Sequence, residues 1–118
     1  MSRDALLFHG TRYPRAVLRD DRIRLPATGY AMVSLTRSLR VARHWATLVR
    51  DDDEGLGAIL VLNRSKLQTR YRLTPFRDES WFGAIRRTDH DEAEEVIHGR
   101  PLEKLSQFLI EVRWHPSA

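Results

Sequence analysis

Short apolar runs broken by polar turns dominate this 118-residue chain, and a single stretch carries clear helical spacing. Ala5 to Phe8 reads as a short buried strand closed by His9-Gly10. Ile23-Arg24-Leu25 reads as a brief second strand, after a polar or helical turn around Pro14 to Leu18. Tyr30 to Leu35 is the next predicted strand. Beyond it Leu39, Ala42, Trp45 or Ala46, and Val49 recur at helical spacing, which predicts a helix to about Val49 capped by Thr36 or Ser38, with Thr36 the preferred cap. The acidic run Asp51-Asp52-Asp53-Glu54 before Gly55 opposes the dipole of the preceding helix end and reads as a solvated loop.

Gly57 opens Ala58 to Leu62, a continuous apolar run expected of a central strand buried on both faces. Asn63-Arg64-Ser65 breaks it. Thr69 to Leu73 alternates, with Tyr71 and Leu73 on one face, as an edge strand stopped by Pro75 would. Residues 77 to 91 are rich in charge and without period, which marks a long loop. Glu94 to Ile97 is a strand, His98-Gly99 a turn, Leu102 to Leu105 a helical turn, and Phe108 to Trp114 a final alternating strand. Six to seven short strands with one main helix describe an α+β domain built on antiparallel pairing, spanning residues 1–118 as one unit.

Composition narrows the chemistry. An apolar fraction of 42% is ordinary for a globular domain, and the absence of cysteine excludes disulfides, thiolate metal sites and a cysteine nucleophile. No signal-like or membrane-spanning apolar run is present, so a cytoplasmic protein without membrane contact is expected. The net charge of +4, carried almost wholly by Arg, favours anions: a dinucleotide pyrophosphate, a nucleic acid or an acidic partner. Those arginines are spread from Arg12 to Arg24, Arg37 to Arg50, Arg64 to Arg77 and at Arg86-Arg87, so most read as ordinary solvated surface. The remaining histidines, His44, His90, His98 and His115, lack metal-ligand spacing, and no metal site is expected.

Three segments set polar, chemically able side chains at strand ends, where rigid elements hold them most accurately. His9-Gly10-Thr11 closes the first strand; a neutral imidazole there can donate to a ribose hydroxyl, and a glycine allows close approach of a ligand or a positive φ. Ser34 and Thr36 lie two apart and so share a face, with Val33 and Leu35 on the other. Glu92, Glu94 and Glu95 crowd the entrance of the Val96-Ile97 strand, and carboxylates so close raise one another's pKa unless solvated or used. Arg12 and Arg37 follow two of these strands and could reach a pyrophosphate with a bidentate guanidinium; Tyr71 and Trp81 could stack on nicotinamide or adenine.

The order His-Gly-Thr, Ser-x-Thr, Glu-Glu-Val-Ile resembles the ADP-ribosyltransferase superfamily of NAD-using enzymes. The resemblance implies a fold of two small packed sheets, mostly antiparallel, with a helix after the Ser-x-Thr strand. It also implies NAD as substrate, its ribose held by His9 and its carboxamide by the backbone of Gly10, with Thr11, Ser34 and Thr36 around it; Arg12 and Tyr71 join the expected cofactor set on their own chemistry. The catalytic glutamate directly precedes two apolar strand residues in that family, which selects Glu95; the register Glu92-Ala93-Glu94 is the alternative. Cleavage would pass through an oxocarbenium-like state, with a protein, a nucleic acid or water as acceptor. Leu35 stands where toxin-type members carry a middle threonine, and His9 where they carry arginine. The 2′-phosphotransferase branch also begins His-Gly-Thr, and a non-catalytic basic module of the same fold, binding nucleic acid or a protein, is the competing expectation.

Overall fold

The structure, a computed structural model, describes residues 5–27, 29, 31–75 and 94–116. In chain order the elements are β1 (Leu6–Thr11), α1 (Pro14–Asp20), β2 (Arg22–Ile23), β3 (Met32–Thr36), α2 (Leu39–Thr47), β4 (Leu56–Asn63), α3 (Arg64–Gln68), β5 (Thr74–Pro75), β6 (Glu94–His98), β7 (Leu102–Glu103), a 3₁₀ turn (Leu105–Gln107) and β8 (Leu109–Pro116). Six strands form one antiparallel sheet in the order β5-β6-β3-β1-β4-β8, and β2 pairs with β7 in a separate ribbon. The expected α+β class with two antiparallel sheets and few helices is what the chain adopts, the sheets being unequal: six strands against two.

The β4 run is central, as its unbroken apolar sequence requires, and Gly57 to Leu62 are all buried. One face of the large sheet carries Leu7, Val33, Leu35, Leu60, Leu62 and Ile97, packed against Ile23 and Leu102 of the β2–β7 ribbon and Leu67 of α3. The other face carries Phe8, Ile59 and Val61 against Ala42 and Ala46 of α2. Period-two alternation thus sends neighbouring residues of β1 to two different cores.

Helix α2 reaches the sheet so closely that no side chain fits between them at two points. A Cβ added at Gly10 would lie 1.9 Å from the Ala42 carbonyl oxygen, and one at Gly57 would lie 1.7 Å from that of Ala46. The helix starts at Ser38, whose hydroxyl accepts from the Val41 amide, while Thr36 accepts from the Ser38 amide in the preceding turn. Ser38, rather than Thr36, is therefore the cap. The helix stops at Thr47, leaving Val49 66% exposed and outside the helical face; Ala46 points inward and Trp45 outward.

Several expectations are corrected. The strand does break at Asn63, but into a further helix, α3, which Asn63 caps by accepting from the Lys66 amide. Thr69 to Leu73 forms no strand: Tyr71 tucks its ring into the core and hydrogen-bonds Glu103, and only Thr74–Pro75 pairs, at the sheet edge. The run at 102–105 is a strand followed by a 3₁₀ turn. The acidic run is not simply solvated. Asp53 accepts from Arg12 at 2.9 Å and from the amides of Arg50 and Gly55; Asp52 accepts from the Tyr13 hydroxyl; Glu54 accepts from the amides of Arg15 and Ala16 at the start of α1. The run is tolerable because three of its four carboxylates, Asp52, Asp53 and Glu54, meet a hydroxyl, a guanidinium and four amide donors. The Arg12 guanidinium and the two amides hold the Asp53 carboxyl far below the usual carboxylate range.

The glycine contacts make a graded test. Gly10→Ala and Gly57→Ala each force a backbone clash and should cost about 3 kcal/mol in denaturant unfolding, the upper end of overpacking. Gly99→Ala, at φ 72° with open space around it, should cost only the left-handed penalty of roughly 1–2 kcal/mol.

Candidate functional site

The three motif strands are neighbours, in the order β6-β3-β1. Their joints differ. β3 meets β6 over five consecutive residue pairs and β1 meets β4 over six, but β1 meets β3 through one pair, Phe8 with Thr36. Past that pair the ladder ends. The next residue, His9, lays its ring across the joint, with Nδ1 2.9 Å from the Ser34 carbonyl oxygen. A carbonyl that would otherwise take a backbone amide from β1 is served by an imidazole instead.

Two consequences follow for His9. A carbonyl only accepts, so Nδ1 carries the hydrogen, and in the neutral ring Nε2 is the acceptor. The sequence expectation that the imidazole donates to a ribose hydroxyl is therefore reversed: Nε2 would accept the hydroxyl proton. Burial, opposed only in part by the Ser34 contact, pushes the His9 pKa below its ordinary 6.5, which keeps the ring neutral.

Glu95 lies opposite Leu35, and alternation turns it to the same sheet face as Leu7, His9 and Ile97. It is only 4% exposed. Both carboxylate oxygens face arginine: Oε1 is 3.0 Å from Arg64 Nε, and Oε2 is 3.3 Å from Arg37 Nε. The arginines come from the first residue of α3 and from the residue after β3, so the triad ties three elements together. Arg64 was not singled out in the sequence. Its position one residue past the central strand was the available signal, since β4 ends opposite the start of β1.

The other predicted residues divide. Ser34 and Thr36 share the opposite, α2-facing side with Glu94, which is paired with Thr36. So Ser34 contributes its carbonyl to His9 while its side chain faces away from Glu95. His9 and Glu95 share one sheet face, and the Ser34 side chain lies on the other. Glu92 and Trp81 lie outside the described residues, as does the 77–91 segment.

Three residues assigned to a cofactor pocket have their functional groups engaged within the fold. Arg12 is 3% exposed and spends its guanidinium on Asp53 and on the Ala46 carbonyl at 3.3 Å, fastening the acidic loop to the end of α2. Thr11 is buried and its hydroxyl accepts from the Tyr13 amide. Tyr71 is buried edge-on to Phe108, its hydroxyl held by the Glu103 amide at 2.9 Å, with Arg100 stacked 4.6 Å over the ring. All three are polar or aromatic residues whose functional groups are consumed by structure. Gly10 shows no positive φ, and its missing side chain is explained first by α2.

A shallow depression of about 190 Å³ is lined by Arg70, Tyr71, Arg100, Lys104 and Phe108 among others, and shares no residue with His9, Ser34 or Glu95. Among the described residues no group of three His, Asp or Glu side chains is arranged to hold a metal, and no helix is long and apolar enough to cross a membrane. Comparison with protein families, with curated proteins and with solved structures finds no match.

His9 supplies a pH test. Its folded-state pKa lies below 6.5, so between that folded value and 6.5 the unfolded chain binds more protons than the folded one. Stability contributed by the neutral ring is full above pH 6.5 and declines as pH falls through this window. Chemical denaturation at stepped pH should show a steeper loss of stability for wild type than for His9→Asn across that range; equal slopes would mean that His9 is not held neutral.

Proposed function

We propose that this chain is a small NAD-dependent ADP-ribosyltransferase or NAD-cleaving enzyme. The observation that carries the reading is the joint where β1 and β3 part: pairing stops at Phe8–Thr36, the His9 ring takes over the Ser34 carbonyl, and β6 brings Glu95 to the same face from the far side of β3. A sheet that opens between two strands, with a neutral imidazole on one side and a carboxylate on the other, suits a ribose held for attack at its anomeric carbon. His9 Nε2 accepts from a ribose hydroxyl. Glu95 supplies the negative charge for an oxocarbenium-like state, and the bond to nicotinamide breaks with its electrons leaving on the ring nitrogen.

The two arginines fit that chemistry as pyrophosphate ligands, Arg37 in the role the sequence suggested for it and Arg64 in place of Arg12. At 38% side-chain exposure Arg37 is within reach of solvent. A pyrophosphate that draws Arg37 away leaves the Glu95 charge less compensated, so substrate binding itself raises the field felt by the ribose.

A second reading is favoured by the same triad. With both Glu95 oxygens engaged, the glutamate serves as a structural tie, and the domain is a non-catalytic basic module that binds nucleic acid or a protein partner. Nicotinamide release separates the two. Wild type, Glu95→Gln and Glu94→Gln are assayed side by side, with circular dichroism as the folding control. Glu95→Gln should lower turnover by about 10² to 10³, the cost of one preorganised electrostatic contact, with a much smaller change in NAD affinity. Loss in Glu94→Gln alone would move the catalytic carboxylate to the Ser34–Thr36 face. No release and no NAD binding by folded wild type would leave the binding module.

A further inference from the structure

β8 (Leu109–Pro116) is the last strand of the six-stranded sheet; β4 occupies one of its edges, and no described strand occupies the other. Its exposed residues are not those expected of a bare edge. Ile110 and Trp114 are each 49% exposed, two of the five large apolar side chains left open among the described residues. Glu111 and Arg113 are exposed as well and pair with each other, Arg113 Nε to Glu111 Oε1 at 3.0 Å. Long edges with apolar side chains invite strand addition, and proteins usually blunt them. This one is blunted at its end by Pro116, by the charges of Glu111 and Arg113, and by the irregularity where Val61 and Leu62 of β4 face Glu111 and Leu109, which leaves Ile110 as the extra residue.

The sequence Ile110-Glu111-Val112-Arg113-Trp114 is complementary to itself when read backwards. We infer that β8 is a homodimer edge, pairing antiparallel with β8 of a second copy about a two-fold axis through Val112. An axis perpendicular to a continuous sheet keeps each residue and its symmetry mate on one face, so cross-strand partners must be an even number of residues apart. Three centres lie in the middle of the strand. Centring on Glu111 sets Glu111 against its own copy, and centring on Arg113 sets Arg113 against its own; like charges directly opposite are destabilising. Centring on Val112 sets Glu111 opposite Arg113 twice and Ile110 opposite Trp114 twice. The result is an isologous contact, which closes at two copies and does not propagate. Twelve strands would then run through one sheet, and the two exposed apolar residues of each copy would cover those of the other.

Charge reversal tests both the partner and the register. Sedimentation or light scattering of the full chain at roughly 10–500 μM, the range suited to a small interface, should show a concentration-dependent dimer. Glu111→Arg leaves only arginines at the four charged positions, and Arg113→Glu leaves only glutamates. Each variant alone should be monomeric across that range. Mixed one to one, they should recover a dimer, because every cross-strand pair is again opposite in sign, and the double variant E111R/R113E should dimerise with itself as wild type does. All four positions are exposed, so circular dichroism should show unchanged folding. A wild type that stays monomeric throughout, or a dimer that both single variants retain, or a mixture of single variants that stays monomeric although wild type dimerises, would each overturn the inference.

Discussion

Glu95 sits in a strand interior with almost no access to water, and a carboxylate there is tolerated only because two guanidiniums meet it, one from each of two other elements. The consequence reaches past that side chain. Arg37 follows β3 and Arg64 opens α3, so the charge requirement of one residue in β6 fixes where the end of β3, the end of β4 and the start of α3 come together. The site described here is assembled by that requirement. Any reaction that uses the Glu95 charge has to compete with the same arginines for it, and an anionic substrate does so by offering them phosphate oxygens in exchange.

The second constraint acts through backbone rather than charge. β1 is pinned to β4 along its whole length and to α2 at Gly10, so it cannot follow β3 once the two diverge. With one face of β1 against helix backbone and its β4-side edge fully paired, the joint to β3 is where the sheet has slack. His9 bridges that slack through its side chain, and burial of the ring keeps it neutral, so the joint carries no second charge beside the Glu95 cluster. Gly10 and Gly57 are glycines because a helix lies on them.

What was legible in the sequence follows from which interactions are local. Apolar periodicity depends on near neighbours, and it located β1, β4, β6, β8 and α2 to within a few residues. Alternation likewise told correctly that Ser34 and Thr36 share a face. Two elements were missed for different reasons: α3 carries a local signal, the Asn63 side chain capping the Lys66 amide three residues on, that reads equally as a break, whereas Thr69 to Leu73 gives up its alternating pattern because Tyr71 finds Glu103, thirty-two residues away. Residue type was a poor guide to availability. Arg12, Thr11 and Tyr71 have chemistry suited to a dinucleotide, yet each is occupied by a partner that composition does not reveal, and in the case of Arg12 that partner is the acidic run read as solvated. Conversely Arg64 carried no motif at all, because its role is set by where β4 ends in space.

We propose the joint between β1 and β3, with Glu95 and its two arginines on the same sheet face, as the place where NAD binds. An amide NMR titration of the isotope-labelled chain with NAD tests it directly, since it reads binding residue by residue and does not require turnover. The account predicts that the largest shift changes fall on His9, Gly10, Ser34, Arg37, Arg64 and Glu95, with the lining of the distant depression at Arg70, Arg100 and Lys104 unaffected. Changes concentrated at that depression, or no saturable change in folded protein at millimolar NAD, would contradict it.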